Sequence, residues 1–201
     1  MKIVWHFRRN ILKNIPNTLY LCELFAIKKS KTNLKDRSEH IREAWAKYNA
    51  YDEQVWTKGY FDEFTGGFNV YHKKHQFATT DGGGNAEKTV GIMLAEKNAK
   101  QVEFLPEGGD MAADLWFDNQ SWEIKYINNA NAKTIRWYIE NIREKGAING
   151  IFFWDKTEKI DCLRAAVASE AGKMKKLGRI NEMPDIYYMD RGELLKLLWK
   201  K

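Results

Sequence analysis

The chain has 201 residues, 44% hydrophobic, 13% aromatic and 30% charged, which suits one domain of ordinary size with a real core plus an appendage. Lys and Arg number 33 against 27 Asp and Glu, and the resulting +6 favours a polyanionic partner, nucleic acid before a membrane surface. Two cysteines without regular spacing, Cys22 and Cys162, exclude a zinc cluster or a disulfide framework, and no apolar run is long enough for a signal peptide or a membrane span, so a cytoplasmic chain is expected.

Ile3, Val4, Phe7, Ile11, Leu12 and Ile15 recur at helical spacing and stop near Pro16. A short apolar run at Leu19 to Ile27 and a basic linker at Lys28 to Lys35 follow. Asp36 to Trp56 reads as a long helix with Ile41, Trp45, Tyr48 and Val55 on one side. Residues 1–58 are thus expected to form a helical N-terminal extension. It would serve as an appendage packed on the main domain or as a basic, aromatic arm for nucleic acid. From Gly59 the character changes to a loop and a short strand, with a Gly66-Gly67 turn between aromatic residues. His72 and His75 flank Lys73 and Lys74. A zinc pair lacks a third ligand here, so this cluster is either a phosphate contact or a polar surface strand. Thr79 to Gly84 is a glycine-rich loop without a phosphate-loop lysine.

Asn85 is placed to cap a helix over Ala86 to Asn98. Glu87 lies three, four and seven residues before Val90, Gly91 and Leu94, on the apolar face, and so is directed at the body of the protein rather than only serving the helix dipole. Gln101 to Leu105 is a strand, and Pro106 to Asp110 a turn. Ala113 to Ile127 reads as a β-hairpin: aromatic and β-branched runs on either side of Asp118-Asn119-Gln120-Ser121. With Asn119-Gln120 as a two-residue loop, Phe117 faces Trp122, Leu115 faces Ile124 and Asp114 faces Lys125. Alternation then puts Leu115, Phe117, Trp122 and Ile124 on one face, and Asp114, Trp116, Glu123 and Lys125 on the other. Beyond the hairpin the pattern predicts a helix over Lys133 to Lys145 with Gly146 as its C′ residue, and a buried strand over Gly150 to Trp154 ending in Asp155. A helix over Leu163 to Leu177, a strand over Asp185 to Met189 and a closing helix over Gly192 to Lys200 complete it. The expected fold class is α/β, a mixed sheet flanked by helices.

Two carboxylates and an ammonium on one hairpin face suit a hard divalent cation and a phosphate. A solvated face with a cross-strand Asp–Lys pair is the plainer alternative. The helix acid Glu87, the spacing Asp-x8-Glu-x-Lys across the hairpin and the helix–hairpin–helix–strand order together resemble the PD-(D/E)XK, restriction-endonuclease-like nuclease superfamily. Nuclease toxin domains of contact-dependent inhibition systems, and phage or mobile-element proteins, are the nearest likeness. The resemblance implies an α-β-β-β-α-β core within a domain over 59–201. It implies Asp114, Glu123 and the Ile124 carbonyl as ligands of Mg²⁺ or Mn²⁺, Lys125 as the residue that positions water or stabilises charge, and Glu87 as a supporting catalytic acid. Asp114 follows Ala113 and not proline, so Asp110 is an alternative motif aspartate. The implied activity is metal-dependent hydrolysis of phosphodiester bonds in tRNA or DNA, toxin-like, with an immunity protein as partner. His72, Lys73, Lys74, His75, Lys133 and Arg136 are the expected nucleic-acid contacts. The alternative is a catalytically silent nucleic-acid-binding or phage-assembly module on the same fold.

Overall fold

The computed structural model describes residues 36–78, 83–108, 113–128, 131–154 and 160–199. The expectations for residues 1–35, most of the loop at 79–84, Asp110, the middle of the loop at 128–131 and Asp155 lie outside them. The chain divides after Arg42, and the second unit, Glu43–Lys201, carries the sheet.

Residues 36–50 are helical (α1), and the helix stops six residues before the expected Trp56. Asp52 ends it locally: its carbonyl accepts from the N–H groups of Val55 and Trp56, and its side chain accepts from Gln54 N–H. The chain then enters a strand that helical periodicity hid, β1 (Trp56–Phe61), which pairs antiparallel with β2 (Phe68–His72). β1 spans the expected boundary between residues 58 and 59. Next come α2 (Gly83–Asn98), β3 (Gln101–Phe104), β4 (Leu115–Phe117), β5 (Gln120–Tyr126), α3 (Ala132–Glu144), β6 (Asn149–Phe153), α4 (Ile160–Lys176), β7 (Asp185–Asp190) and β8 (Glu193–Lys196).

The eight strands of the described residues form one mixed sheet in sequential order, parallel at β2–β3, β5–β6 and β6–β7 and antiparallel elsewhere. The expected α-β-β-β-α-β succession runs from α2 to β6. Helices bury apolar stripes against the sheet. Val90 and Leu94 of α2 pack with Val102, Phe104, Leu115, Trp122, Ile124 and Ile151. Ile135, Ile139 and Ile142 of α3 pack with Phe152, Leu163 and Ile186. Ile151 and Phe152 are neighbours in β6 yet serve different clusters, as alternation along a buried parallel strand requires. Gly150 has a packing reason: a Cβ there would lie 2.5 Å from Ile142 Cδ1, so the bare backbone lets α3 sit close on β6.

Two further expectations need correction, besides the cap at Asn85, which lies inside α2. The central turn is Asp118–Asn119, not Asn119–Gln120, and the register pairs Phe117 with Gln120 and Leu115 with Trp122. Both turn residues have positive φ, 51° and 58°, the left-handed pair that a type I′ hairpin needs and that Asp and Asn tolerate. The turn moves one residue towards the N-terminus and shifts the pairing by two, so the face assignment survives, but the register now carries Asp114 towards Glu123 rather than Lys125. The closing helix is instead a hairpin strand. Asp190 pairs with Glu193 around Arg191-Gly192, both at positive φ. Asn98, at the end of α2, accepts from Leu194 N–H and donates to the Gly192 carbonyl, clamping that turn. An apolar run this short, with a ready turn before it, gains more as a strand against β7 than as an isolated helix.

Candidate active site

The site begins with a strand that starts late. β4 begins only at Leu115, while β5 runs past that level to Tyr126. Asp114 fills the place of a ladder partner: its Oδ2 accepts from the Ile124 N–H at 2.9 Å, while its own backbone carbonyl is held by Leu105 N–H. A residue in a strand turns its N–H and C=O to the same side. The Ile124 carbonyl therefore faces the same gap.

Glu123 is completely buried. Its Oε1 accepts from Lys125 Nζ at 2.6 Å and from Lys145 Nζ at 2.5 Å, and its Oε2 is buried with no hydrogen-bond partner. Lys145, the C-cap residue of α3, also stands 3.5 Å from Asp114 Oδ1. It is three residues beyond Ile142, so the close seating of α3 over Gly150 brings it to the carboxylates. Burial pushes the Glu123 carboxyl above its usual range and the Asp114 charge adds to that, while the two lysines pull it back. For Lys145, burial works against the charged form, but the Asp114 and Glu123 carboxylates outweigh it and hold the ammonium above its ordinary value.

Glu87, in the first turns of α2, is the inward-pointing acid that its position foretells. It faces His75, whose side chain is only 4% exposed. Nδ1 of His75 lies 2.8 Å from the Leu105 carbonyl, an atom that can only accept, so Nδ1 carries a hydrogen. Nε2 then faces Glu87 Oε2 at 3.4 Å, and each of these two atoms is buried without a hydrogen bond. Burial lowers the His75 pKa, but the Glu87 contact, the Leu105 carbonyl and the charges of Glu87 and Asp114 raise it above its ordinary value.

Glu87, Asp114, Glu123, Ile124 and Lys125 all line one cleft of about 470 Å³, together with Lys145, Trp137 and Tyr138. Lys125 also places its ammonium 6.0 Å from the Tyr138 ring centroid. The expected nucleic-acid contacts do not gather in this way. Lys73 and Lys74 are exposed, His72 is half-buried edge-on to Trp56, and His75 is turned inward. Lys133 and Arg136 are exposed on α3, with Arg136 donating to Ser169 Oγ at 3.4 Å. Sequence reasoning missed Lys145 and the use of His75. The first was within reach, because Lys145 continues the Ile135–Ile139–Ile142 stripe by one further step of three. The second was not, because nothing local says that a histidine after β2 meets a helix twelve residues on.

Among the described residues no three His, Cys, Asp or Glu side chains group as a metal-ligand set. The donors that could hold Mg²⁺ or Mn²⁺ are Asp114 Oδ1, Glu123 and the Ile124 carbonyl. Two carboxylates and a carbonyl, with waters for the remainder, suit such a hard cation, and the partnerless Glu123 Oε2 is an oxygen with capacity to spare. No helix of the described residues is long and apolar enough to cross a membrane. No protein-family profile matches the chain, and none of the curated proteins does. Among solved structures, a chain of the CdiA-CT/CdiI toxin and immunity complex from Burkholderia pseudomallei is similar over 62% of this chain and 95% of that one, at 17% identity and a TM-score of 0.45.

Proposed function

We propose that the protein is a metal-dependent nuclease of the PD-(D/E)XK type, hydrolysing phosphodiester bonds in tRNA or DNA. One observation carries the reading: Asp114, Glu123 and Lys125, with the supporting acid Glu87, converge on a single cleft although they come from three separate elements. A solvated hairpin face would not bury a carboxylate completely, as Glu123 is buried, because desolvating that charge costs several kcal/mol unless cations compensate it.

In this reading Asp114 is oriented by the Ile124 N–H, and Glu123 by its two lysines. Lys125 holds its ammonium where it can orient the attacking water or meet negative charge building on the phosphate. A bound Mg²⁺ or Mn²⁺ supplies Lewis-acid stabilisation of the phosphoryl oxygens. Glu87 is held by His75 at the wall of the cleft. Trp137 is 59% exposed and lines the cleft, a platform on which an unpaired base can stack. A toxin-like role and an immunity protein as partner belong to the same proposal and rest on the sequence resemblance; a cytoplasmic location is proposed alongside them on composition and not on that resemblance.

The test is to incubate the purified protein with total tRNA and separately with plasmid DNA, in Mg²⁺, Mn²⁺ or EDTA, beside Lys125→Ala. Cleavage that needs the metal and is lost in the variant is expected. Binding without cleavage of either substrate would replace this reading with a silent binding module.

A further inference from the structure

Lys145 stands between the two carboxylates that a divalent cation would share. Its ammonium bridges Asp114 Oδ1 and Glu123 Oε1, 3.5 Å from the first and 2.5 Å from the second, and so competes for the same charges as an ion held by that pair. Lys125 makes the other contact to Glu123 Oε1 at 2.6 Å but has no contact within ion-pair distance of Asp114. The two lysines are therefore not equivalent: one salts a single carboxylate, the other bridges the pair.

Lys145 is also the more free to leave. Its side chain is 33% exposed against 14% for Lys125, and it sits at the last turn of α3 on a flexible four-carbon stem. With the bridge in place the buried Glu123 charge is compensated and the cleft is electrostatically complete. Without it, Asp114 and Glu123 face each other as like charges, which favours a cation.

We propose that Lys145 is a built-in competitor of the divalent metal, an internal ammonium that bridges Asp114 and Glu123 until the metal displaces it towards solvent. This rests on the nuclease reading, in which those two residues hold the metal. The empty state is then stable in its own right, and metal affinity is set low by the displacement.

The test is calorimetric titration of Mn²⁺ into the wild type and into Lys145→Met, which keeps most of the stem and removes the charge. Tighter binding by the variant, at least tenfold or about 1.4 kcal/mol, is expected. Equal or weaker binding overturns the competitor role and leaves metal-dependent catalysis standing. Absence of Mn²⁺ binding by both proteins overturns the metal reading along with it. A second measurement needs no variant: acetic anhydride labelling of the wild type, read by mass spectrometry, with and without Mn²⁺. Lys145 should label several-fold faster when Mn²⁺ is present, and unchanged labelling at saturating Mn²⁺ refutes displacement.

Discussion

Replacing Glu123 by Gln keeps the shape of the side chain and removes its charge. Lys125 and Lys145 each lie about 2.5 Å from the same oxygen, so their ammonium groups are no more than about 5 Å apart. Two like charges at that distance repel by about 3 kcal/mol at the effective dielectric suited to proteins. In the wild type the carboxylate between them more than offsets this. In Glu123→Gln it does not, although Lys145 can lean on Asp114 or swing to water, so a net loss of about 2 kcal/mol is expected. For a chain of this size that lowers Tm by roughly 4–8 °C. Thermal unfolding followed by circular dichroism measures it, and adding Lys145→Met to Glu123→Gln should recover part of the loss, because the repelling partner is gone. If Glu123→Gln melts with the wild type, or if the second change recovers nothing, the electrostatic account of the cleft is wrong. Cleavage should fall at least about 1,000-fold in the same variant, since a ligand charge contributes several kcal/mol to the transition state.

Other expectations follow from the same geometry. Lys125→Ala should abolish metal-dependent cleavage while the chain stays folded, because Lys145 still compensates the buried Glu123 charge; near-normal cutting in a gel assay would remove Lys125 from the catalytic set. Because the folded His75 pKa is raised, the stability it adds is fully present below its unfolded value near 6.5 and lost as pH rises through the folded one. Urea midpoints of wild type and His75→Gln should accordingly differ more at about pH 5.5 than at about pH 9, and a gap that does not change with pH would deny the charged His75–Glu87 pair. Trp137→Ala should weaken binding of single-stranded nucleic acid by about 1–3 kcal/mol in fluorescence anisotropy, with no change in Tm. An unaltered Kd would take Trp137 out of the binding surface.

Much of the fold was legible because its signals were local. The stripe Ile135–Ile139–Ile142 and the continuous run of β6 were found at nearly their true limits, since a helix face and a doubly covered strand each leave a period that no neighbour needs to supply. β8 was misread because its apolar residues satisfy either period over so short a span, and the choice is made by Asn98, almost a hundred residues away. The hairpin shows the middle case. Its alternation put Asp114, Glu123 and Lys125 on one face correctly, but only left-handed φ values at Asp118 and Asn119 decide which residue Asp114 approaches. His75 lay beyond a local reading because it enters the site through packing between separate elements, whereas Lys145 only extends the α3 stripe by one more step.

β4 reaches only to Leu115, level with the last residue of β3, Phe104, so β5 runs on to Tyr126 in the interior of the sheet with no β4 residue opposite it. Open main-chain groups at a sheet's rim invite another chain to add itself, and proteins guard such rims with charge or short strands. Here the Asp114 carboxylate fills the opening, and Lys125, Tyr138 and Lys145 line the cleft beside it. The Asp114 carboxylate thus takes up the Ile124 N–H that a longer β4 would have paired, which closes one open donor in an incomplete stretch of sheet.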